Sequence, residues 1–146
     1  MEHWEYLKPD GLRFVWDDTL FRPGTDSFLL SSLPKLSAGL RVCDLGCGTG
    51  LLGLLLLQRQ SELTVTGVDI QPAAVALAER AAAENCLTDR LTFQCIDLRQ
   101  VRQHFSTGSF DLVVCNPPYY PPACGKVSVS VYRPPAGAAA FFHRLL

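Results

Sequence analysis

Four clusters carry residue types that could do chemistry, and each follows an apolar run. Asp44-Leu45-Gly46-Cys47-Gly48-Thr49-Gly50 spaces its glycines at alternate positions. Glycine lets a backbone approach a ligand closely and take conformations other residues resist. A helix opening behind Gly50 would add free N–H groups and a positive dipole end. Asp69 follows about twenty residues on, where a nucleotide-binding βαβ unit places the acid that accepts ribose hydroxyls. Ile70 beside it counts as a cofactor contact. Asp97 could accept from an adenine amino group while Leu98 offers its backbone N–H, although a helix N-cap explains Asp97 alone about as well.

The fourth cluster is Asn116-Pro117-Pro118-Tyr119. A conjugated NH2 is a poor nucleophile because its lone pair is delocalised. Two acceptors, the Asn116 side-chain oxygen and the Pro117 carbonyl, can hold its two hydrogens and turn the lone pair toward an electrophile. Pro117 and Pro118 stiffen the loop and reduce its ordering cost. Tyr119 offers a face for a planar group, worth about 1–3 kcal/mol for a base. A proline-rich turn would be the plainer explanation of these four residues without the glycine loop upstream.

Asp44 separates two cofactor classes. A carboxylate just before the first glycine repels a pyrophosphate but suits the ammonium of an amino-acid moiety. It therefore favours S-adenosylmethionine (SAM) over a dinucleotide. A sulfonium is already a strong electrophile, so positioning supplies much of the rate and no acid–base pair is required. His3, His104 and His143 are isolated and form no catalytic set.

Alternating strands and helices must position these clusters. Residues 40–45, 63–68, 91–95 and 111–115 read as strands. Residues 51–60 and 73–84 read as helices, with Pro72 suited to a first turn, and a short helix falls near residues 98–105. This spacing predicts an α/β, Rossmann-like fold with a mainly parallel sheet flanked by helices. Upstream, residues 4–21 suggest a small hairpin. Thr25 or Asp26 would cap a helix running to Leu36, with Phe28, Leu29, Ser32 and Leu33 near one face. The expected division is an N-terminal segment over residues 1–36, a SAM-binding core over 37–125 and an atypical tail over 126–146. The tail alternates at Val127-Ser128-Val129-Ser130-Val131 and then loses pattern, which would leave the fourth strand as an open edge.

Composition narrows the function classes. Of 146 residues, 48% are hydrophobic and 18% charged, enough for a core, and the net charge of −1 offers no general attraction to nucleic acid. The N-terminus lacks the order of a secretion signal, and no apolar run could span a bilayer, so a cytoplasmic protein is expected. Cys43, Cys47, Cys86, Cys95, Cys115 and Cys124 form no Cys-x-x-Cys pair. Reduced thiols and no metal are the expectation.

Together, the segment from Arg22 to Tyr120 resembles class I SAM-dependent methyltransferases that carry an Asn-Pro-Pro-Tyr motif. Within that group Arg22-Pro23-Gly24-Thr25-Asp26-Ser27-Phe28-Leu29-Leu30 is most similar to the bacterial tRNA adenine-N6 methyltransferases. The resemblance implies that Asp44, Gly46, Gly48 and Gly50 hold the methionine part of SAM, Asp69 the ribose, and Asp97 with Leu98 the adenine. It also implies that Asn116, Pro117, Pro118 and Tyr119 orient the target amine, with Asn116 a cofactor contact as well, while Thr25 and Asp26 close the site over the cofactor. The implied partner is tRNA, its adenine turned out of the stack. The alternatives are a protein glutamine-N5 methyltransferase, an rRNA guanine-N2 methyltransferase and an inactive SAM-binding fragment. The class I sheet has seven strands, so the loss of pattern suggests a truncated or frame-altered product.

Overall fold

The computed structural model describes residues 1–20, 22, 24–116 and 130–132. A hairpin of β1 (Glu2–Tyr6) and β2 (Arg13–Asp17) leads into helix α1 (Thr25–Ser32). The core then alternates β3 (Arg41–Leu45), α2 (Leu51–Arg59), β4 (Thr64–Asp69), α3 (Pro72–Glu84) and β5 (Leu91–Cys95). A 3-10 turn (Leu98–Gln100) runs into α4 (Val101–His104), followed by β6 (Leu112–Cys115) and β7 (Ser130–Tyr132).

The main sheet has the order β5-β4-β3-β6-β7, parallel except for β7. The chain steps outward from β3 to β5 and then returns to β6 on the other side. That reversal beside β3 is the topological switch point where ligands enter open α/β sheets. Leu45 lies opposite both Val68 and Cys115. The strand ends are therefore flush, and Gly46, Asp69 and Asn116 emerge along one rim.

Strand alternation sends side chains to two separate apolar clusters. Val42, Val65, Leu91, Leu112 and Val114 face α2, α3 and the hairpin. Cys43, Leu45, Val68 and Val113 face Val101 of α4 with Phe105 and Phe110. Helix α2 is buried at every position from Leu51 to Leu57, as an all-apolar helix must be. It lies close because Gly53 has no side chain: a Cβ there would stand 2.9 Å from Leu91 Cδ1.

The hairpin expected near the N-terminus is present and begins at Glu2. Val15 is fully buried, and Asn85 at the end of α3 binds both backbone groups of Arg13, at 2.8 and 2.7 Å. Arg13 also lies over the Trp4 and Tyr6 rings. Across the sheet, Arg41 grips Asp111 through two guanidinium contacts of 3.0 and 2.9 Å, fixing the entry of β3 against β6.

Two expectations require correction. Helix α1 is capped by Gly24, without a side-chain cap from Thr25 or Asp26, and it ends at Ser32. Pro34, lying just beyond that end, accepts with Ser31 from the Arg59 guanidinium, which satisfies the final carbonyls. Its buried residues are Ser27, Leu30 and Ser31, whereas Phe28, Leu29, Ser32 and Leu33 face outward. The second correction concerns the fourth parallel strand. It is not an edge: β7 pairs with it antiparallel, Val114 opposite Val131. The pattern around Val131 was too short and too isolated by prolines to assign it a place in the sheet.

Candidate cofactor cleft

The loop after β3 is held by its backbone. Gly46 and Cys47 both donate to the Val68 carbonyl, at 2.8 and 3.0 Å, and Gly50 donates to Cys47 at 2.9 Å. Three loop glycines take left-handed conformations, with φ of 73° at Gly46, 54° at Gly48 and 81° at Gly50. They differ in purpose. Open space surrounds Gly46 and Gly48, so their backbone is accessible to a ligand. A Cβ on Gly50 would meet Phe93 Cζ at 2.7 Å, so Gly50 is required for packing. The same ring lies against Gly67, where a Cβ would approach it to 2.5 Å.

Asp44 points from β3 into the cleft with 1% of its surface exposed. Its Oδ2 has no hydrogen-bond partner among the described residues. Burial, and secondarily the charge of Asp69, pushes its carboxyl up to about 7. A buried carboxylate without a partner is unfavourable, so the site is complementary to a cation that donates hydrogen bonds.

Asp69 is engaged differently. One oxygen accepts from Gly48 N at 2.8 Å and the other from Gln71 N at 2.9 Å. The expected ribose acid therefore also ties the loop to the end of β4. Each carboxylate oxygen keeps a further lone pair for a hydroxyl.

The cleft takes in about 570 Å³ of non-atom space, part of it open solvent. Its lining brings together Asp44, Gly46, Gly48 and Asn116 among the expected residues. Ser27, Thr49, Gln71 and Ala74 also line it, and the sequence had not singled them out for this. Ser27 lay within the quoted segment, but a serine before Phe28-Leu29-Leu30 carries no signal of direction. Asn116 Nδ2 donates to Ser27 Oγ at 3.0 Å, joining α1 to the end of β6.

Other expected residues lie outside the lining, Asp69 among them, which reaches the cleft only through its contacts to Gly48 and Gln71. Thr25 is exposed and Asp26 half-buried, with their neighbours Gly24 and Ser27 reaching the cleft instead. Ile70 and Leu98 are exposed on the rim side. Asp97 caps the 3-10 turn through Arg99 N at 2.9 Å, and the Arg99 guanidinium holds its carboxyl below the ordinary range. Gly50 sits behind the loop as the N-cap of α2. Pro117, Pro118 and Tyr119 lie outside the described residues.

The five described cysteines are free thiols, and burial raises those of Cys43, Cys47 and Cys115. Among the described residues no group of His, Cys, Asp or Glu could hold a metal ion, and no helix is long and apolar enough to cross a membrane.

The family model described as methyltransferase small domain matches residues 15–131. A tRNA1(Val) (adenine(37)-N6)-methyltransferase from Enterobacter sp. (strain 638) is 35% identical over 127 residues, covering 82% of this chain and 51% of its own length. The chain thus spans about half the length of that curated relative. Among solved structures, TrmN from Thermus thermophilus is 26% identical with a TM-score of 0.55, the match covering 63% of this chain and 27% of that one. A SAM-dependent methyltransferase from Thiobacillus denitrificans, solved with S-adenosyl-L-homocysteine, is 25% identical with a TM-score of 0.52, covering 64% and 36%. The chain belongs to the methyltransferase small domain family, and its Rossmann-like fold agrees with that membership.

Proposed function

We propose that this methyltransferase-family chain binds SAM in the cleft and serves N-methylation of the exocyclic N6 amine of an adenine in tRNA. The observation that carries the cofactor assignment is Asp44: a buried carboxylate with an unpartnered oxygen, beside glycines that leave their backbone open. These residues fit an amino-acid ammonium. Asp44 would hold that ammonium, Gly46 and Gly48 would allow close backbone approach, and Asp69 would hold ribose hydroxyls.

SAM, when bound, supplies a methyl group on a sulfonium. The chain supplies position. Asn116 lies at the same rim, at the end of β6, with its amide nitrogen occupied by Ser27. Its oxygen would accept from a target NH2. Pro117, Pro118 and Tyr119 would complete the cradle. The names of the curated relatives support adenine in tRNA as the substrate, and a tRNA substrate implies work in the cytoplasm. Residues 37–125 would then be the SAM-binding core and residues 1–36 its cover.

Calorimetric titration of SAM into the chain, with Asp44→Asn as control, tests the cofactor site. Micromolar binding that the substitution abolishes is the expected result. Transfer of labelled methyl to unmodified tRNA then tests the substrate. A folded chain with no SAM affinity would overturn the proposal.

A further inference from the structure

In the structure the Asn116 amide turns its nitrogen to the Ser27 hydroxyl oxygen, at 3.0 Å. Both residues line the cleft, and Ser27 is 8% exposed. Three serines stand on α1. Ser31 and Ser32 donate their hydroxyls back to the carbonyls of Phe28 and Leu29, at 2.7 and 2.6 Å. The Ser27 oxygen instead reaches another element, accepting from Asn116 Nδ2 at 3.0 Å.

A primary amide has an accepting oxygen and a donating NH2. With its nitrogen engaged by Ser27, the Asn116 oxygen is the end that would accept from a group in the cleft. In the reverse orientation Ser27 would donate to that oxygen, and the Asn116 NH2 would confront a target NH2, donor against donor. The anchor is firm: Leu30 of α1 is fully buried, and Arg59 holds the carbonyls at the end of the helix.

We propose that Ser27 is a positioning residue whose hydroxyl oxygen fixes the Asn116 amide with its own oxygen free to accept from the target amine. This rests on the N-methyltransferase assignment above. Ser27 touches neither reacting atom. It acts through Asn116, so its effect falls on turnover more than on SAM affinity.

Two measurements test this. The first needs no activity: a double-mutant cycle in urea unfolding with Ser27→Ala, Asn116→Ala and the pair. A hydrogen-bonded couple makes the double substitution cost less than the sum of the singles. The second is kinetic. Ser27→Ala should lower kcat roughly 3- to 10-fold, the range of one neutral hydrogen bond, a larger change than in SAM affinity or in the KM for tRNA. Ser27→Thr, which keeps the hydroxyl, should restore turnover. If Ser27→Ala does not fold, Ser27→Cys replaces it as a poorly accepting residue of similar size.

Additive unfolding costs, an unchanged kcat, or a loss that threonine leaves in place would each overturn the role of Ser27 in an active chain. A wild-type chain that binds SAM and transfers nothing to tRNA would overturn the methyltransferase assignment instead, and the positioning role with it.

Discussion

Gly48 donates its backbone N–H to the Asp69 carboxylate at 2.8 Å, tying the glycine loop to the end of β4. The second oxygen of Asp69 takes the Gln71 N–H at 2.9 Å and starts the turn into α3. One side chain thus fixes two loops that flank the cleft. Asp69→Ala should destabilise the fold by about 2–4 kcal/mol, because two backbone donors in a part-buried rim lose their charged acceptor. Urea unfolding measures this. Lost SAM binding in that variant would report loop disorder as much as a lost ribose contact, which makes Asp44 the cleaner probe.

Asp44→Asn should separate stability from binding. The amide removes a buried carboxylate whose Oδ2 has no partner among the described residues, so the ligand-free variant should unfold at higher urea than wild type at pH 8. SAM affinity should fall at least about 30-fold, in line with about 2 kcal/mol or more for one truncated partner of a buried charge pair. Equal stability, or undiminished SAM affinity, would remove Asp44 from the role of ammonium acceptor.

The same carboxyl gives a pH signature. Its folded value of about 7 lies above the ordinary aspartate value of 3.8. Between these values the folded chain retains a proton that the unfolded chain releases. Stability of the ligand-free protein should therefore fall as pH rises from about 4 to 7, then level off. The total change is on the order of 2–4 kcal/mol. The carboxylates held low, Glu2, Asp17, Asp18 and Asp97, act at the acid end of this window and below. An ammonium ligand prefers the ionised form, so SAM affinity should weaken by up to about tenfold per pH unit below 7. Titrations in buffers of different ionisation enthalpy should reveal proton release on binding near pH 6.5, and Asp44→Asn should abolish it.

Two glycines of one loop should respond oppositely to alanine. At Gly50 the new Cβ meets Phe93 in a left-handed backbone, and a loss of about 2–4 kcal/mol is expected. At Gly48 the space is open, so only the backbone strain of about 1 kcal/mol applies. Gly48→Ala should therefore fold but bind SAM poorly. Thermal melts paired with calorimetry distinguish the two.

The sequence made the parallel strands legible because each apolar run ends at a glycine, an acid or, after the fourth, Asn116, and these punctuation residues recur at βαβ spacing. It made the loop legible for the same reason. It could not tell that Gly50 is a packing residue, since Phe93 stands more than forty positions away and reaches it only across the folded sheet. Helix α1 was misjudged in its cap and its extent. Pro34, its carbonyl held by Arg59, lies just beyond the helix end, and a proline there is a stop signal that the sequence itself carried. The engagement of Ser27 with Asn116 spans 89 positions and left no local trace.

The placement of Asp44 has a consequence for product departure. The amino group that it would hold is chemically identical in SAM and in the demethylated product. Affinity gained there is uniform binding, which raises retention of both without accelerating transfer. A chain that relies on this carboxylate should be inhibited by its own product at concentrations close to those that saturate it with SAM. Discrimination between the two must come from the sulfonium side of the cleft.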